Sequence, residues 1–243
     1  MGSENNSGTV SLTVEVKGHR AHYLKAGGGP PVVLVHGGAS DSRDWLNTTP
    51  ALADRFSVYA PDLIGFGRSS RRADGYYLSD FSDFILEFIE RLGLKEPALV
   101  GHSLGGRVCL GVALRHPEKV SRLVLVDAAG LGRVSRFGTV FFGAFWRLRK
   151  LLRRPQPYPQ FLARDGEDND WLCVDKLPGL KTPTLLVWKR HDPYLPVSIA
   201  RRAEKLIPGA RLAVVPGFGH APQVQNPAAF NRLLLDFLVD GRP

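Results

Sequence analysis

The pentapeptide Gly101-His102-Ser103-Leu104-Gly105 is the part of the chain whose residue types point most directly to chemistry. It follows the apolar run Ala98-Leu99-Val100 and precedes a helix-forming run from Arg107 to Arg115. A glycine-flanked serine at a sharp turn from strand to helix is held away from the sheet, at a helix N-terminus where free N–H groups favour negative charge. This setting predicts a nucleophilic Ser103 rather than a glycine-rich turn without chemistry.

A serine hydroxyl is a poor nucleophile at neutral pH and needs a neighbouring base, usually a histidine that a carboxylate orients. His220 is the predicted base, because it follows a predicted strand in the segment Pro216-Gly217-Phe218-Gly219-His220. The glycines permit a loop that swings the ring to the edge of the sheet. The remaining histidines that we considered fit less well, because they lie in turns, in a first hairpin or at a helix end: His19, His22, His36, His102 and His116.

Two aspartates compete for the role of the acid. Asp192 lies in His191-Asp192-Pro193, just past a predicted strand from Thr184 to Trp188. It completes the chain order serine, acid, histidine, although an aspartate before proline is also common in turns. Asp127 is the alternative, because it comes directly after another predicted strand, Leu123 to Val126. The sequence favours Asp192 and leaves Asp127 open.

Acyl transfer also needs two backbone N–H groups that point at the developing alkoxide. Leu104, the residue after the nucleophile at the start of a helix, is predicted to supply one of them. The turn His36-Gly37-Gly38 follows a predicted strand, Pro31 to Val35, and its glycines allow close approach of the backbone. We predict the Gly38 amide as the second donor, with Ala39 as the alternative.

The elements that must position these groups alternate between strands and helices from about residue 30 onward, which is typical of a parallel sheet. Before them, residues 9–16 and 19–25 are predicted to form a hairpin. The predicted strands are Pro31–Val35, Phe56–Ala60, Ala98–Gly101, Leu123–Val126, Thr184–Trp188 and Arg211–Val215. The predicted helices are Leu78–Leu92, Leu104–His116, Ile199–Leu206 and Pro227–Val239.

The alternation breaks between two of the core strands. About fifty residues separate them there, whereas a plain crossover needs roughly a dozen. We therefore predict a core of residues 9–129 and 181–241, with a cap of two or three helices inserted at 130–180. Residues 1–8 are polar and are predicted to be a disordered leader.

The first half of the predicted cap is rich in aromatic residues: Phe137, Phe141, Phe142, Phe145 and Trp146. Of these, Phe141, Phe145 and Trp146 are predicted to line an apolar substrate pocket. The competing interpretation is a helix that simply packs on the core. The second half of the predicted cap contains an acidic run without the spacing of a calcium loop, so a solvated loop is expected there.

The formal net charge of +9 over 243 residues is concentrated in the same segment, in Arg133, Arg136, Arg147, Arg149, Lys150, Arg153 and Arg154. An excess this local, without a recognisable nucleic-acid-binding motif, argues against nucleic acid as a partner. The arginines are compatible with an anionic substrate or with a membrane surface, although a solvated helix face is the commoner reason for such charges. The sequence does not indicate an oligomeric state.

Cys109 and Cys173 form no disulfide framework, and neither has a partner at metal-ligand spacing. Together with the lack of a secretory pattern at the N-terminus, this favours a reducing cytoplasm. No metal and no cofactor are predicted, because a serine, a base and an acid need neither.

Four features together carry a family resemblance. They are His36-Gly37-Gly38, the run from Asp62 to Ser69, Gly101 to Gly106, and His191-Asp192-Pro193 with Gly219-His220. With them the chain resembles a capped member of the α/β-hydrolase superfamily from about Val14 to Val239. The resemblance implies an eight-stranded, mostly parallel sheet flanked by helices, a short helical cap, and the nucleophile, acid and base named above.

The chain departs from the family pattern at two positions near the site. Lys189 stands where a glycine is common, and Gln225 stands where a glutamate often follows the histidine. Relatives that open epoxides or displace halide carry aspartate at the nucleophile position, so Ser103 favours acyl transfer.

We therefore predict a carboxylic-ester hydrolase that acts on a small-molecule ester through an acyl-enzyme, with a base of ordinary pKa near 6.5. One alternative is a C–C bond hydrolase of meta-cleavage type, although such relatives usually carry a longer glycine-rich turn than His36 to Ser40. The other alternative is a ligand receptor on the same fold with little turnover.

Overall fold

The computed structural model describes residues 8–71, 76–152 and 172–240. Its centre is one sheet of eight strands: β1 (Val10–Val16), β2 (His19–Ala26), β3 (Pro31–Val35), β4 (Ser57–Pro61), β5 (Ala98–His102), β6 (Arg122–Val126), β7 (Thr184–His191) and β8 (Arg211–Phe218). The strand order is β1-β2-β4-β3-β5-β6-β7-β8. Only the pairs β1–β2 and β2–β4 are antiparallel among these neighbours. The predicted eight-stranded, mostly parallel sheet is confirmed.

Seven α-helices flank the sheet in the described part of the chain: α1 (Thr49–Ala53), α2 (Leu78–Arg91), α3 (Leu104–Arg115), α4 (Arg136–Leu151), α5 (Val197–Leu206), α6 (Pro222–Gln225) and α7 (Pro227–Asp240). The central strands are continuous apolar runs because helices cover both of their faces. Every residue of β5 is buried, for example, whereas most of the edge strand β1 is exposed. Two hydrophobic clusters, one on each face, form the core.

The glycines around Ser103 are needed for the close approach of α3 to the sheet. A Cβ atom on Gly105 would collide with the carbonyl oxygen of Val35, and one on Gly106 would collide with Ala128. A Cβ on Gly101 would meet the backbone of Gly105. Larger residues would push the start of α3 away from β3 and β6, and Ser103 would move with it.

The chain between β6 and β7 carries α4 and, after it, a 3₁₀ turn at Val174–Gly179. The predicted cap boundaries at 130 and 180 stay a prediction. The predicted leader falls almost wholly outside the described residues, as does part of the second half of the predicted cap, residues 153–171. Among the described residues, no helix has both the length and the apolar character needed to cross a membrane.

Candidate active site

Ser103 occupies a strained corner between β5 and α3. Its backbone angles are φ 50° and ψ −113°, a region that residues with a Cβ rarely adopt. Three backbone hydrogen bonds hold it there: its N–H donates to the Val126 carbonyl at 2.9 Å, and its carbonyl accepts from the N–H groups of Ala129 at 3.0 Å and Arg107 at 3.2 Å. Strain of this size persists only where the surrounding structure enforces it, and such sites are often functional.

Asp192 and His220 form a direct pair at the carboxyl edge of the sheet, after β7 and β8 respectively. His220 Nδ1 lies 2.6 Å from Asp192 Oδ2. The other oxygen of Asp192 accepts the backbone N–H groups of Tyr194 at 2.8 Å and Leu195 at 3.0 Å. With Nδ1–H donating to the carboxylate, Nε2 of His220 is left as the proton acceptor, which is the tautomer that a general base needs.

The loop that carries His220 is attached to the nucleophile corner through His102. His102 Nε2 donates to the His220 carbonyl at 2.6 Å, and the two ring centroids are 5.0 Å apart. The structure therefore brings all three predicted residues, Ser103, Asp192 and His220, to one edge of the sheet. Between Ser103 and His220, both within the described residues, no hydrogen bond forms, and in enzymes without substrate this contact is often long.

The environment of His220 favours the neutral form of its ring. Burial lowers the pKa of His220, the hydrogen bond that its ring donates to Asp192 opposes that shift, and the neighbouring His102 lowers the pKa further. The net pKa lies below the ordinary value, contrary to the expectation from the sequence. The difference arises from burial, which the position of a residue in the chain does not reveal.

The turn after β3 lies against the nucleophile. A Cβ on Gly37 would come within 2.7 Å of His102 Nδ1 and 3.3 Å of the Ser103 Cβ, so glycine allows the turn to approach this closely. His36 holds the turn, because its Nδ1 donates to the Gly37 carbonyl at 2.7 Å and its Nε2 accepts the Leu63 N–H at 2.9 Å. Gly38, the predicted oxyanion donor, follows in this turn and is half-buried.

The second predicted donor, Leu104, is the first residue of α3 and is buried. Its N–H belongs to the first turn of a helix, whose amides have no partner within the helix. Ala39, the alternative to Gly38, has a φ of 60° and is exposed. The turn that contains Gly38 approaches Ser103 at Gly37, and Leu104 directly follows Ser103 at the start of α3.

A group of aromatic rings leads away from His220. The ring of Tyr194 meets the His220 ring edge-on, with centroids 5.2 Å apart. Phe141 lies 5.6 Å and Phe137 6.0 Å from Tyr194, measured between centroids. Sequence reasoning did not place Tyr194 or Phe137 at the site. A signal for Tyr194 was present, because it stands only two residues after the predicted acid.

The three residues predicted to line the pocket differ in where the structure places them. Phe141 contacts the aromatic group next to His220. Phe145 lies one turn further along α4 and is half-buried. The side chain of Trp146 falls outside what the structure describes.

Asp127, the alternative acid, lies beside the pair but is not hydrogen-bonded to His220. Its Oδ1 accepts the backbone N–H of Lys189 at 2.8 Å. Ligand-type atoms of Asp127, Asp192 and His220 all lie within 4.8 Å of one another, close enough for a metal ion. The direct bond between Asp192 and His220 accounts for the cluster without one, so the arrangement fits proton transfer better than metal binding.

The comparisons with known proteins agree with this geometry. The family described as alpha/beta hydrolase fold matches residues 30–147, and the family described as TAP-like protein matches residues 167–243. The chain is 30% identical over 269 residues to the dihydrolipoyllysine-residue acetyltransferase component of an acetoin cleaving system from Pseudomonas putida, covering 98% of this chain and 71% of the relative. It is 29% identical to a 2-hydroxymuconate semialdehyde hydrolase from Pseudomonas sp. strain CF600, covering 99% and 98%.

Among solved structures, a bacterial membrane phospholipase A superposes with a TM-score of 0.81 at 26% identity, covering 97% of this chain and 87% of the other. Family profile, relatives and fold together place this chain in the α/β-hydrolase superfamily. At the level that these likenesses support, it is a hydrolase of that superfamily.

Proposed function

We propose that the protein hydrolyses carboxylic esters of small molecules through an acyl-enzyme intermediate on Ser103. The observation that carries this proposal is the 2.6 Å bond from His220 to Asp192, on a loop that His102 joins to the corner of Ser103. An oriented neutral histidine next to a strained serine is the arrangement that nucleophilic acyl transfer requires.

In the proposed reaction, Ser103 Oγ attacks the ester carbonyl while His220 Nε2 takes its proton. The amides of Leu104 and Gly38 donate to the oxyanion of the tetrahedral intermediate. His220 then protonates the leaving alcohol, and Asp192 stabilises the imidazolium during both transfers. Water attacks the acyl-enzyme by the same route, releasing the acid and restoring Ser103. No metal or cofactor takes part in these steps.

The aromatic group of Phe137, Phe141 and Tyr194 supports an apolar acyl or alcohol moiety, because it borders the ring of His220. The likeness to a phospholipase supports an ester as the substrate. Cys109 and Cys173 are both buried and are not joined in a disulfide, which supports a location in the reducing cytoplasm.

The second candidate function is hydrolysis of a C–C bond in a vinylogous diketone. It is favoured by the likeness to a 2-hydroxymuconate semialdehyde hydrolase over nearly the full length of both chains. The same three side chains would serve, so the two functions differ in the substrate that the pocket accepts.

A comparison of kcat/KM for the two classes of substrate distinguishes the two candidate functions. We expect kcat/KM for p-nitrophenyl esters from acetate to octanoate to exceed that for a 2-hydroxy-6-oxo-dienoate, measured on the same preparation. Ser79→Ala, on an exposed position of α2, is the matched control for Ser103→Ala. A dienoate turned over faster than every ester would replace the ester proposal by the C–C one. Ester hydrolysis that survives Ser103→Ala would reject both.

A further inference from the structure

Helix α4 presents a row of apolar side chains to solvent. This apolar stripe consists of Phe137, Val140, Ala144, Leu148 and Leu151, whose spacing of three or four residues places them on one side of the helix. Its four large members are between 54% and 78% exposed, and Ala144 is exposed as well. Single apolar residues on a surface are ordinary, whereas a contiguous row of them marks an interaction site.

Helix α2 shows what such a pattern does when the fold covers it. Its apolar residues recur with the same spacing, and Leu78, Phe81, Ile85 and Phe88 are all buried in the core. An apolar stripe stabilises a fold by leaving water. The apolar stripe of α4 stays in water, so it is available to a second surface.

The charges around the apolar stripe indicate what kind of surface that is. Between residues 133 and 154 the sequence contains seven Lys and Arg residues and no Asp or Glu. Arg136 and Arg147 are exposed and eleven residues apart, which is about three helical turns, so both lie along the same edge of the stripe. A second copy that docked through the same helix would bring like charges together. An anionic surface complements the charge instead.

The start of α4 is fixed close to the candidate active site. The Ser135 N–H donates to the Tyr194 carbonyl at 2.8 Å, and Ser135 Oγ donates to the Pro193 carbonyl at 2.5 Å. Gly138 is buried, and a Cβ on it would lie 3.4 Å from Tyr194 Cα. Because the Tyr194 ring meets the His220 ring, a surface that binds the apolar stripe lies near the catalytic base.

We propose that α4 docks on an anionic membrane surface, with the apolar stripe toward the acyl chains and Arg136 and Arg147 at the headgroups. Basic amphipathic helices with Phe and Leu on the apolar face bind at this boundary and lie in its plane. With 16 residues α4 is about 24 Å long, so it offers an extended contact. The docking is a binding property and does not rest on the proposed ester hydrolysis.

Vesicle binding tests the proposal, with Ser103→Ala as the parent protein so that no lipid is consumed. Co-sedimentation compares phosphatidylcholine vesicles with vesicles in which about one lipid in three is phosphatidylglycerol. We expect at least about 10-fold tighter binding to the anionic vesicles, and most of this advantage should disappear in about 0.5 M NaCl because salt screens the charges. Equal binding to both vesicles, or binding to neither, would overturn the proposal.

The apolar stripe is tested by Val140→Glu combined with Leu148→Glu. This double variant should bind the anionic vesicles at least about 10-fold more weakly, because two side chains that leave water become charged. The matched control is Leu46→Glu with Val239→Glu, which places the same charges at exposed apolar positions elsewhere and should stay within about 3-fold of the parent. Equal losses in the two double variants would contradict docking through α4.

The basic edge is tested by Arg136→Gln combined with Arg147→Gln. Binding to the anionic vesicles should weaken by about 10-fold, because two attractive charges near the headgroups are removed. Arg201→Gln with Arg202→Gln, at exposed positions of α5, is the matched control and should stay within about 3-fold of the parent. A control that loses as much binding would show that net charge alone is responsible, and would overturn the proposal.

A fluorophore on Val140→Cys distinguishes a membrane from other occupants of the apolar stripe. Cys109 and Cys173 are buried, so a nitrobenzoxadiazole label is directed to position 140. Its emission should resemble that in water without vesicles and shift to the blue when anionic vesicles are added. Emission that is already shifted, and that vesicles do not change, would mean that a second copy or another part of the chain covers the stripe, and would overturn the proposal. Failure of the proposed ester hydrolysis would leave all these binding readouts unchanged.

Discussion

Among the described residues, two histidine–aspartate pairs are joined by a side-chain hydrogen bond, and only one of them lies at the nucleophile corner. His22 Nδ1 is 2.8 Å from Asp62 Oδ2, and His220 Nδ1 is 2.6 Å from Asp192 Oδ2. The first pair even has a serine in contact, since Ser11 Oγ lies 2.8 Å from His22 Nε2. Judged by hydrogen bonds alone, the pair at the β1–β2 edge is the more complete triad.

The difference between the two regions lies in what surrounds the serine. Ser11 sits on the regular edge strand β1, with no helix N-terminus behind it and no strained backbone. Asp62 is also fully engaged by loop amides, accepting from Ser42 N–H at 2.7 Å and Arg68 N–H at 2.8 Å. The His22–Asp62 pair therefore connects these loops to one another. A serine, a histidine and an aspartate in contact do not suffice, because acyl transfer also needs an exposed corner and oxyanion donors.

The largest expected effect is a loss of kcat that occurs when Ser103 is replaced but not when Ser11 is replaced. Ser103→Ala should lower kcat for p-nitrophenyl esters by about 10⁴-fold or more, because the attacking oxygen is lost. Ser11→Ala should stay within about 2-fold of wild type, since its hydroxyl contacts no part of the nucleophile corner. Steady-state kinetics on both variants checks this. A large loss in Ser11→Ala with Ser103→Ala active would reverse the comparison.

The second-largest expected effect is a loss of folding stability when Asp62 is replaced. Asp62→Asn should lower the free energy of unfolding by about 2 kcal/mol, because an amide N–H₂ would face N–H donors that now meet a buried carboxylate. Urea denaturation measures this, with the exposed Asp54→Asn as a control expected within about 0.5 kcal/mol. An Asp62→Asn variant as stable as the control would show that the His22–Asp62 pair does not hold the loops.

The smallest effect is a displaced pH profile. Because burial lowers the pKa of His220 more than Asp192 restores it, the acid limb of kcat/KM should have its midpoint below about 6.5. Activity is full where the ring is neutral and falls as pH drops through this pKa. Ser11→Ala should show the same limb. A midpoint clearly above 6.5 would mean that the base is not the buried ring of His220.

The sequence predicted the sheet closely because parallel core strands are continuous apolar runs that turn residues delimit. Predicted strands such as Leu123–Val126 differ from the observed ones only at their ends. β7 runs on from Trp188 to His191, where the buried Lys189 and the exposed Arg190 and His191 interrupt the apolar pattern of the strand. The order of Ser103, Asp192 and His220 was readable because each follows a strand at the same edge.

What could not be predicted depends on how distant segments meet. The contact of Tyr194 with His220 depends on the path of the loop after β7. The attachment of His102 to the His220 carbonyl joins residues 118 positions apart. The raised pKa of Asp127 follows from burial and from the nearness of Asp192, both of which are tertiary. Patterns in one segment carry no information of this kind.

Covalent labelling tests the central claim most directly. The protein is treated with a fluorophosphonate, which phosphonylates activated serines, and the adduct is mapped by peptide mass spectrometry. We predict one adduct, on Ser103, whose rate of formation falls by at least about 10³-fold in His220→Ala while Ser11 stays unmodified. An adduct on Ser11, or labelling of Ser103 at an unchanged rate in His220→Ala, would contradict the account.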